Sequence, residues 1–380
     1  MIWLAAPAVA AAAYYLLACI AALRWPKLTR PGAPEPPTHL PVSILKPVHG
    51  RDPRFYEAIR SHALQDYPEF EILFGVSDPA DPAIQDIERL RRDFPQCPIS
   101  LHVVRTDAPN AKAGVLTELA RHARYPVLLV NDSDIRVDPT YLEDVTAPLS
   151  DSSVGLVTCL YRAAADSFAA QAEALGIATE FAPSVLVARL LGVAEFALGS
   201  TMVFRAAVLR ESGGFEALHQ YLADDYQLGH RIHQCGYRIV FAPVVVETDL
   251  GAESWAQVWR HQVRWSRTIR VSRPSGYYGY VVTHATLWSL VALAGGAVWA
   301  AVLAVALRLI AGIWTGAGIL KYRRALPHAW MIPLRDLFGF AVWLAGLFGR
   351  AVEWRGQVLR LSPDGLIRRQ TGPTGTDSAK

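Results

Sequence analysis

Short apolar runs of four to six residues alternate with amphipathic segments through the middle of this chain. Apolar runs of this length predict buried strands, and the segments between them have the periodicity of helices. Strands separated by such helices imply right-handed crossovers and a mostly parallel sheet, so the pattern predicts an α/β domain. The predicted strands are Val42–Leu45, Ile72–Val76, Ile99–Val104, Val127–Val130 and Val154–Cys159, and the predicted helices include Phe55–Leu64, Ala83–Phe94 and Lys112–Ala123.

The N-terminal stretch, 1–23, has no charged residue and is long enough to cross a bilayer, which takes a helix of about 20 residues. Because no basic region precedes it, a transmembrane anchor is favoured over a cleaved signal peptide or a buried helix. Arg24, Lys27 and Arg30 follow it and, by the positive-inside rule, place the N-terminus outside and the rest in the cytoplasm. A proline-rich linker, 24–41, leads into the α/β domain.

The C-terminal region, 274–349, is expected to lie in the membrane. Its first part, Pro274–Leu307, has no charged residue and follows five arginines, so it predicts a second span that starts in the cytoplasm. Two shorter apolar runs follow, Leu309–Leu320 and Leu337–Gly349; one of them returns the chain, and the pattern leaves open which. The arginine-rich segment 350–380 predicts a cytoplasmic basic tail.

Composition agrees with a cytoplasmic catalytic domain, 42–273, between membrane segments. Hydrophobic residues make up 52% of the 380 residues and the mean hydropathy is +0.20, an excess that lies in the terminal stretches. The net charge of +3 is spread along the chain, so nucleic-acid binding is not indicated. The cysteines are far apart, which predicts reduced thiols: Cys19, Cys97, Cys159 and Cys235.

Two carboxylates, Asp132 and Asp134, follow the predicted strand Val127–Val130. The carboxyl ends of parallel strands are where open α/β sheets bind ligands. Carboxylates one residue apart there suit Mg²⁺ or Mn²⁺, which a diphosphate would share. The alternative is a turn with two solvated acids. The position after a buried strand favours the metal site and, with the motifs below, a sugar transferase.

Two further polar residues lie at the expected sheet edge. Asp78 follows the strand Ile72–Val76, where its carboxylate can accept hydrogen bonds from a base or ribose; the alternative is an Asx-turn before Pro79. Lys112 begins the helix after Ile99–Val104 and can meet a phosphate; the alternative is a solvated lysine in the first helical turn. Both are candidates for binding a nucleotide-sugar.

The pair Asp224 and Asp225 begins a predicted helix that ends near Gly236. Asp224 can cap that helix, and Asp225 can take the proton from an acceptor hydroxyl as general base. His230 and His233 have the spacing of a metal-binding pair, but the sequence shows no matching third ligand, so a metal site is not favoured there.

A basic, aromatic helix follows, with Trp255 and Trp259 ahead of His261, Arg264 and Trp265. Arg264 can neutralise the charge of a departing diphosphate, and Trp265 can stack on a sugar or base. The alternative is an amphipathic helix at an anionic membrane surface, and the two interpretations are compatible.

These motifs, in this order and between two membrane segments, resemble the ceramide glucosyltransferase-like family (glycosyltransferase family 21), and most closely its hopanoid-associated bacterial members in bacteriohopanetetrol-glucosamine biosynthesis. The resemblance covers nearly the whole chain. It rests on Ser43-Ile44-Leu45-Lys46-Pro47, Asp78-Pro79-Ala80, Asp132-Ser133-Asp134, Gly199-Ser200-Thr201-Met202, Gly213-Gly214-Phe215, Leu222-Ala223-Asp224-Asp225-Tyr226 and Arg264-Trp265.

The resemblance implies a Rossmann-like glycosyltransferase-A domain that uses a UDP-sugar and Mg²⁺ or Mn²⁺ and inverts the anomeric carbon by direct displacement. It implies that Asp78 contacts the uridine, that Asp132 and Asp134 belong to the metal and diphosphate site, and that Asp225 is the base. Animal members of the family tend to have glycine in place of Asp134, which makes Asp132 the firmer ligand.

Arg264 and Trp265 close the family's Gln/Arg-x-x-Arg-Trp motif and are carried over as catalytic residues. His261 stands at the first place of the motif, where the family has glutamine or arginine. A histidine can still donate to a phosphate or an acceptor, so His261 is kept among the nucleotide-sugar-binding candidates.

The function that the resemblance implies is transfer of one sugar, glucose or N-acetylglucosamine, from a UDP-sugar to a hopanoid polyol or a ceramide at the bacterial inner membrane. A processive polysaccharide synthase and an inactive nucleotide-sugar-binding membrane scaffold remain as alternatives. The apolar segment Phe168–Leu198 is either part of the core or an interfacial helix pair that receives the lipid.

Overall fold

The computed structural model describes residues 2–29, 39–354 and 357–369. Its main strands are β1 Val42–Val48, β2 Phe70–Val76, β3 Ile99–Val103, β4 Val127–Val130, β5 Val154–Ala164, β6 Met202–Arg205 and β7 Arg238–Asp249. They form one seven-stranded sheet in the order β3-β2-β1-β4-β6-β5-β7. Only β6 runs antiparallel to its neighbours. The predicted strands and the mostly parallel α/β architecture are confirmed.

Helices cover the sheet and continue beyond it. Those within the α/β domain are α2 Phe55–Ala63, α3 Ala83–Asp93, α4 Ala111–His122, α5 Tyr141–Thr146, α6 Phe168–Gly176, α7 Ala182–Leu190, α8 Ala206–Glu211, α9 Asp224–Gln234 and α10 Trp255–Ser272. The remaining helices are α1 Ile2–Leu28, α11 Pro274–Gly279, α12 Ala285–Ala294, α13 Val298–Ile313 and α14 Ile332–Gly346.

The sheet is buried on both faces, which is why its strands are continuously apolar rather than alternating. Ile44 of β1 belongs to the core cluster on one face, and Leu45 belongs to the cluster on the other. Leu45 is in register with Val130, and Val48 is in register with Val76. The carboxyl ends of β1, β2 and β4 therefore meet at one edge, and the loops that follow them share it.

The helices α1, α12 and α13 pack together at the side of the domain. Two helical stretches, Trp3–Lys27 and Val298–Ile319, are long and apolar enough to cross a membrane by length and composition. The predicted single span Pro274–Leu307 is wrong, because Gly296, at φ 76°, turns the chain between α12 and α13. The run Leu309–Leu320 is the end of the longer helix. The stretch Pro274–Leu307 would have the same apolar composition whether it formed one helix or a helical hairpin. Composition alone therefore predicted the wrong boundaries for the second span.

The segment Phe168–Leu198 forms α6 and α7, joined by a π-helical turn. Val185 and Leu186 are buried in a cluster with Ala21 and Ala22 of α1, whereas Phe168 and Leu191 are exposed. The middle of this segment therefore packs in the core, and an interfacial position of its exposed ends stays a prediction.

Two predicted boundaries differ in the structure. The anchor helix α1 continues past residue 23 to Leu28, and residues 30–38 of the predicted linker lie outside the described residues. Within 351–354 and 357–369 the predicted basic tail forms an antiparallel sheet, with strands β8 Ala351–Trp354, β9 Gln357–Leu361 and β10 Ile367–Arg369. Ile367 N donates to Gln220 O at 2.7 Å, so this sheet is joined to the loop before α9.

Candidate active site

The carboxylates of Asp132 and Asp134 lie in the loop that leaves β4, at the predicted edge of the sheet. The Asp132 side chain is 46% exposed. Asp134 accepts a hydrogen bond from the Thr248 hydroxyl of β7. Burial and the charge of Asp132 raise the pKa of Asp134 to about 6. One carboxylate is therefore open to a ligand, while the other is held by β7, at the end of the same sheet.

Lys112 joins the two acid motifs. Its Nζ lies 2.7 Å from Asp132 Oδ1 and 3.3 Å from Asp224 Oδ2. Burial lowers the pKa of Lys112, but the charges of Asp132 and Asp224 outweigh this and raise it above the ordinary value. The alternative of a solvated lysine is wrong. The capping role considered for Asp224 is wrong as well, because this side chain makes no cap hydrogen bond and is paired with Lys112.

Asp225 begins α9 and reaches toward the same space. Its Oδ2 accepts from Gly199 N at 3.0 Å, and its Oδ1 accepts from Tyr226 N at 2.7 Å. A Cβ built on Gly199 would lie 3.3 Å from Asp225 Oδ2 and 3.4 Å from Asp132 Oδ2. The two carboxylates therefore face each other across a residue without a side chain. Burial and the charge of Asp224 raise the pKa of Asp225 to about 6, although Lys112 opposes the shift.

Asp78 follows β2 at the same edge of the sheet and is exposed. Its Oδ1 accepts from Ala80 N at 2.8 Å, which is the Asx-turn considered from the sequence. This hydrogen bond leaves Oδ2 available for a ligand. The described structure brings Asp78 to the edge but not into contact with the acid pair.

The acid loop rests on groups to which the sequence reasoning assigned no role. Lys46 of β1 is buried and donates to Asp132 O at 3.0 Å. Burial lowers the pKa of Lys46 to about 7, against the charges of Asp134 and Asp132. Ser133 Oγ donates to Asp52 Oδ2 at 2.5 Å. The sequence signal for this support was Lys46 itself, a charged residue within a strand that is otherwise apolar on both faces.

His261 lies in a second, buried group of ionisable residues. Its Nδ1 is 2.8 Å from Glu173 Oε1, and the Glu173 side chain is fully buried. Together with Glu253 they form the one group of three that could hold a metal ion among the described residues. Burial and the charge of Glu173 raise the pKa of Glu253. We call Glu173, Glu253 and His261 the buried trio.

Trp265 and Arg264 lie beside the buried trio on α10. The Trp265 ring lies 4.7 Å from the His261 ring and 6.3 Å from Phe181. The charge of Arg264 lowers the pKa of Glu253, a smaller effect than the burial and the Glu173 charge that raise it. Both side chains are partly buried. His261, Arg264 and Trp265 thus lie on one face of α10, and His261 on that face contacts Glu173 of α6.

Tyr161 of β5 connects the two acid groups. Burial raises the pKa of Tyr161 well above its usual value, and the charges of Asp225 and Glu173 add to the shift. Its ring lies 5.5 Å from Phe181, the residue that Trp265 also contacts. The sequence analysis missed Tyr161 and Glu173, since neither lies in a short motif.

The histidines of α9 do not form a metal site. His230 stacks on Tyr226 at 6.0 Å, and its Nδ1 lies 3.4 Å from Glu195.

At the acid edge, by contrast, Asp132 and Asp134 offer oxygen ligands, which Mg²⁺ and Mn²⁺ prefer. Burial, followed by the charge of Asp132, raises the pKa of Asp134. The carboxylate oxygens of Asp132 and Asp134 are of the chemical type that would suit a divalent cation.

Comparison with solved structures identifies the fold. The Pyrobaculum calidifontis mannosyltransferase, solved in complex with GDP-mannose and Mn²⁺, superposes with a TM-score of 0.57 and 20% identity, over 90% of this chain and 97% of that one. The likeness shows the fold, so the predicted glycosyltransferase-A architecture is confirmed.

Several curated relatives are ceramide glucosyltransferases. Ceramide glucosyltransferase 1 of Caenorhabditis elegans is 32% identical over 198 residues, 50% of this chain and 42% of that enzyme. The Komagataella phaffii ceramide glucosyltransferase is 32% identical over 111 residues, 27% of this chain and 21% of that enzyme. The matched part of the chain thus spans less than half the length of these relatives. The family model for glycosyl transferase family 21 matches residues 3–367, and the chain therefore belongs to that family.

Proposed function

We propose that this glycosyltransferase moves a single glucose or N-acetylglucosamine from a UDP-sugar to a hydroxyl of a hopanoid polyol or a ceramide, with inversion. The observation that carries the proposal is the approach of Asp132 and Asp225 across Gly199. Direct displacement needs the departing phosphate and the attacking hydroxyl on opposite sides of the anomeric carbon. Two carboxylates that face one another across a narrow space can serve these two sides.

The donor side consists of Asp132, Asp134, Lys112 and Asp78. Mg²⁺ or Mn²⁺ held by Asp132 and Asp134 would stabilise the negative charge of the departing diphosphate. Lys112 balances the carboxylates around this position, and Asp78 would accept hydrogen bonds from the uridine at the end of β2. The Mn²⁺ and GDP-mannose in the mannosyltransferase structure support this assignment.

The acceptor side is Asp225. As general base it takes the proton from the acceptor hydroxyl, and its raised pKa of about 6 makes it a stronger base than an ordinary carboxylate while it is still ionised at neutral pH. Arg264 would offset charge on the leaving diphosphate, and Trp265 would stack on the sugar. His261, held by Glu173, orients the face of α10 that carries Arg264 and Trp265.

The membrane position is supported by apolar side chains that face outward. Trp3, Leu16 and Leu23 on α1 and Trp299 and Val302 on α13 are all exposed. Contiguous apolar surface of this kind is suited to lipid rather than water. With the basic residues Arg24 and Lys27 near the end of α1, it supports a multi-pass protein of the bacterial inner membrane whose catalytic domain is cytoplasmic.

The direct test is to incubate the purified protein with UDP-glucose or UDP-N-acetylglucosamine and with a hopanoid polyol or a ceramide. We expect one donor and one lipid to yield a product with a single added sugar, read by mass spectrometry. A long polymer would contradict the proposal in favour of a processive synthase. Donor binding without release of UDP, with every lipid, would contradict it in favour of a scaffold.

A further inference from the structure

A cavity of about 510 Å³ lies beside the acid site, where the loop after α13 meets the ends of β5 and β7. This volume is in the range of small-ligand sites. Neither Asp132 nor Asp134 nor Asp225 lines it. Two carboxylates, Asp166 and Glu247, lie in its wall, together with five cations: Arg54, Arg162, Lys321, Arg323 and Arg324.

The two acids of the wall are already engaged by arginines. Arg54 lies 2.8 Å from Asp166, and Arg162 lies 2.8 Å from Glu247. Lys321 and Arg323 have no carboxylate partner within 2–29, 39–354 and 357–369. The cavity therefore has positive charge that no described side chain balances, as a site for an anion would require.

Two cations in the cavity wall have an unusual backbone conformation. Arg54, at φ 51°, and Lys321, at φ 56°, are the two residues other than glycine with positive φ in the described part of the chain. This conformation is unfavourable for residues with a Cβ atom, and it persists mainly where surrounding structure enforces it, often at ligand sites. Both residues lie in the wall of this one cavity.

The cavity lies at the end of a membrane-length helix. Lys321 follows the apolar helix Val298–Ile319 by two residues. The end of α1 packs there too, with Trp25 in the same cluster as Tyr322. Trp330, shortly after the cations, is 61% exposed. Cations and an exposed tryptophan at the end of a span are typical of the membrane–water interface.

We propose that this cavity binds the anionic phosphate head group of a bilayer phospholipid. Arg323 and Lys321 supply the unbalanced charge, and a guanidinium can take two phosphate oxygens at once. A membrane lipid is favoured over a soluble anion because the cavity opens at the level where the span ends and the lipid phosphates lie. The bound lipid would fix the loop after α13 against β5 and β7, next to Thr248 and the acid edge.

The test uses the full chain in neutral detergent, without donor or acceptor, so it does not depend on the proposed transfer activity. The ligands are dihexanoyl-phosphatidylglycerol, dihexanoyl-phosphatidylcholine and inorganic phosphate, and binding is followed as the rise in thermal unfolding temperature. The variant is Lys321→Asn/Arg323→Gln, in which asparagine tolerates positive φ. The matched control is Arg24→Gln/Lys27→Gln, which removes two cations at the end of α1 that do not line the cavity.

We expect phosphatidylglycerol to stabilise the wild type and the control, with weaker effects from the other two ligands. Its affinity should fall by about fivefold for each cavity cation removed. Equal stabilisation by phosphatidylcholine or by inorganic phosphate would overturn the proposal, and so would equal responses of the variant and the control. If the double variant unfolds without ligand, Arg323→Gln alone, at an exposed side chain, gives the same comparison.

Discussion

The two acid groups of this protein are built from the same residue types but in opposite ways. At the sheet edge, Asp132 is half-exposed and shares Lys112 with Asp224. In the buried trio, Glu173 is fully enclosed and meets His261. The edge acids have lysines around them and an open side, so a ligand can replace or add to their contacts. In the trio only Glu173 is closed to solvent, while His261 and Glu253 are partly exposed, and the contact between Glu173 and His261 is made inside the protein.

From this difference we expect the acids of the sheet edge to serve the reaction and the buried trio to hold α10 in position. Removing an acid from the open edge should cost activity with little loss of stability, because water and Lys112 adapt to the change. Removing an acid from the trio should cost stability first, because the remaining charges are left without partners in a buried place. The predictions below test this separation, beginning with the largest effect.

Chelation of metal and the substitution Asp132→Ala should both abolish transfer. The diphosphate leaves with negative charge that the residues of the edge do not neutralise alone. The free energy of unfolding should change by less than about 1 kcal/mol, since Asp132 is half-exposed and Lys112 keeps Asp224 as its partner. Activity is measured with and without EDTA, and stability by urea denaturation. Asp151→Ala, at a comparably exposed acid paired with Arg238, is the control that keeps activity. Full activity in excess EDTA would refute the metal assignment.

Asp225→Asn should lower turnover by roughly 10²–10⁴-fold, the usual contribution of a general base. Donor affinity should persist, because the amide oxygen can still accept from Gly199 N and the donor side is unchanged. Single-turnover rates and calorimetric titration with UDP-sugar measure the two quantities. Near wild-type turnover in Asp225→Asn, with a loss in Asp224→Asn, would transfer the role of base to Asp224.

Glu173→Ala should lower the free energy of unfolding by about 3 kcal/mol, because it leaves His261 without its buried partner. Glu216→Ala, at an exposed acid paired with Arg121, should change it by less than about 0.5 kcal/mol. Urea denaturation of both variants gives the comparison. Equal stability of Glu173→Ala and the wild type would mean that the trio does not hold α10 in place.

The pH profile should show an acidic limb near pH 6, the raised pKa of Asp225. A base acts only when it is deprotonated, so activity is present above this pH and is lost as the pH falls through it. At pH 5 we expect kcat/KM to be about a tenth of its plateau. An acidic limb near pH 4, the ordinary range of a carboxyl group, would contradict the burial of Asp225 as the cause.

The sheet and its edge were predictable because burial on both faces has a strong sequence signature. The run Val127–Val130 is apolar throughout, and Asp132 and Asp134 follow it directly. The antiparallel β6, by contrast, has only four residues, too few for the sequence pattern to reveal the strand or its direction. Strand direction depends on the connection, and here the connection passes through α6 and α7.

The trio and Lys46 could not be predicted in the same way. Glu173 and His261 are far apart in the sequence and meet only because α6 packs against α10. Each alone is consistent with a solvated residue on a helix. The role of Lys46 depends on the loop after β4, which its own strand does not specify. The spacing of the motifs therefore indicated the chemistry. The side chains that hold the motif residues in place come from distant parts of the sequence and could not be predicted from it.

The hydrogen bond from Ile367 to Gln220 has a consequence for how the protein is made. The residues just ahead of α9, which begins with Asp224 and Asp225, form a bridge between Tyr221 and Leu366, so part of their support comes from a strand synthesised after the second membrane-length helix. During translation, α9 therefore leaves the ribosome well before the strand that pairs with the residues ahead of it. The acid edge of the sheet can reach its final arrangement only after these C-terminal strands have been synthesised.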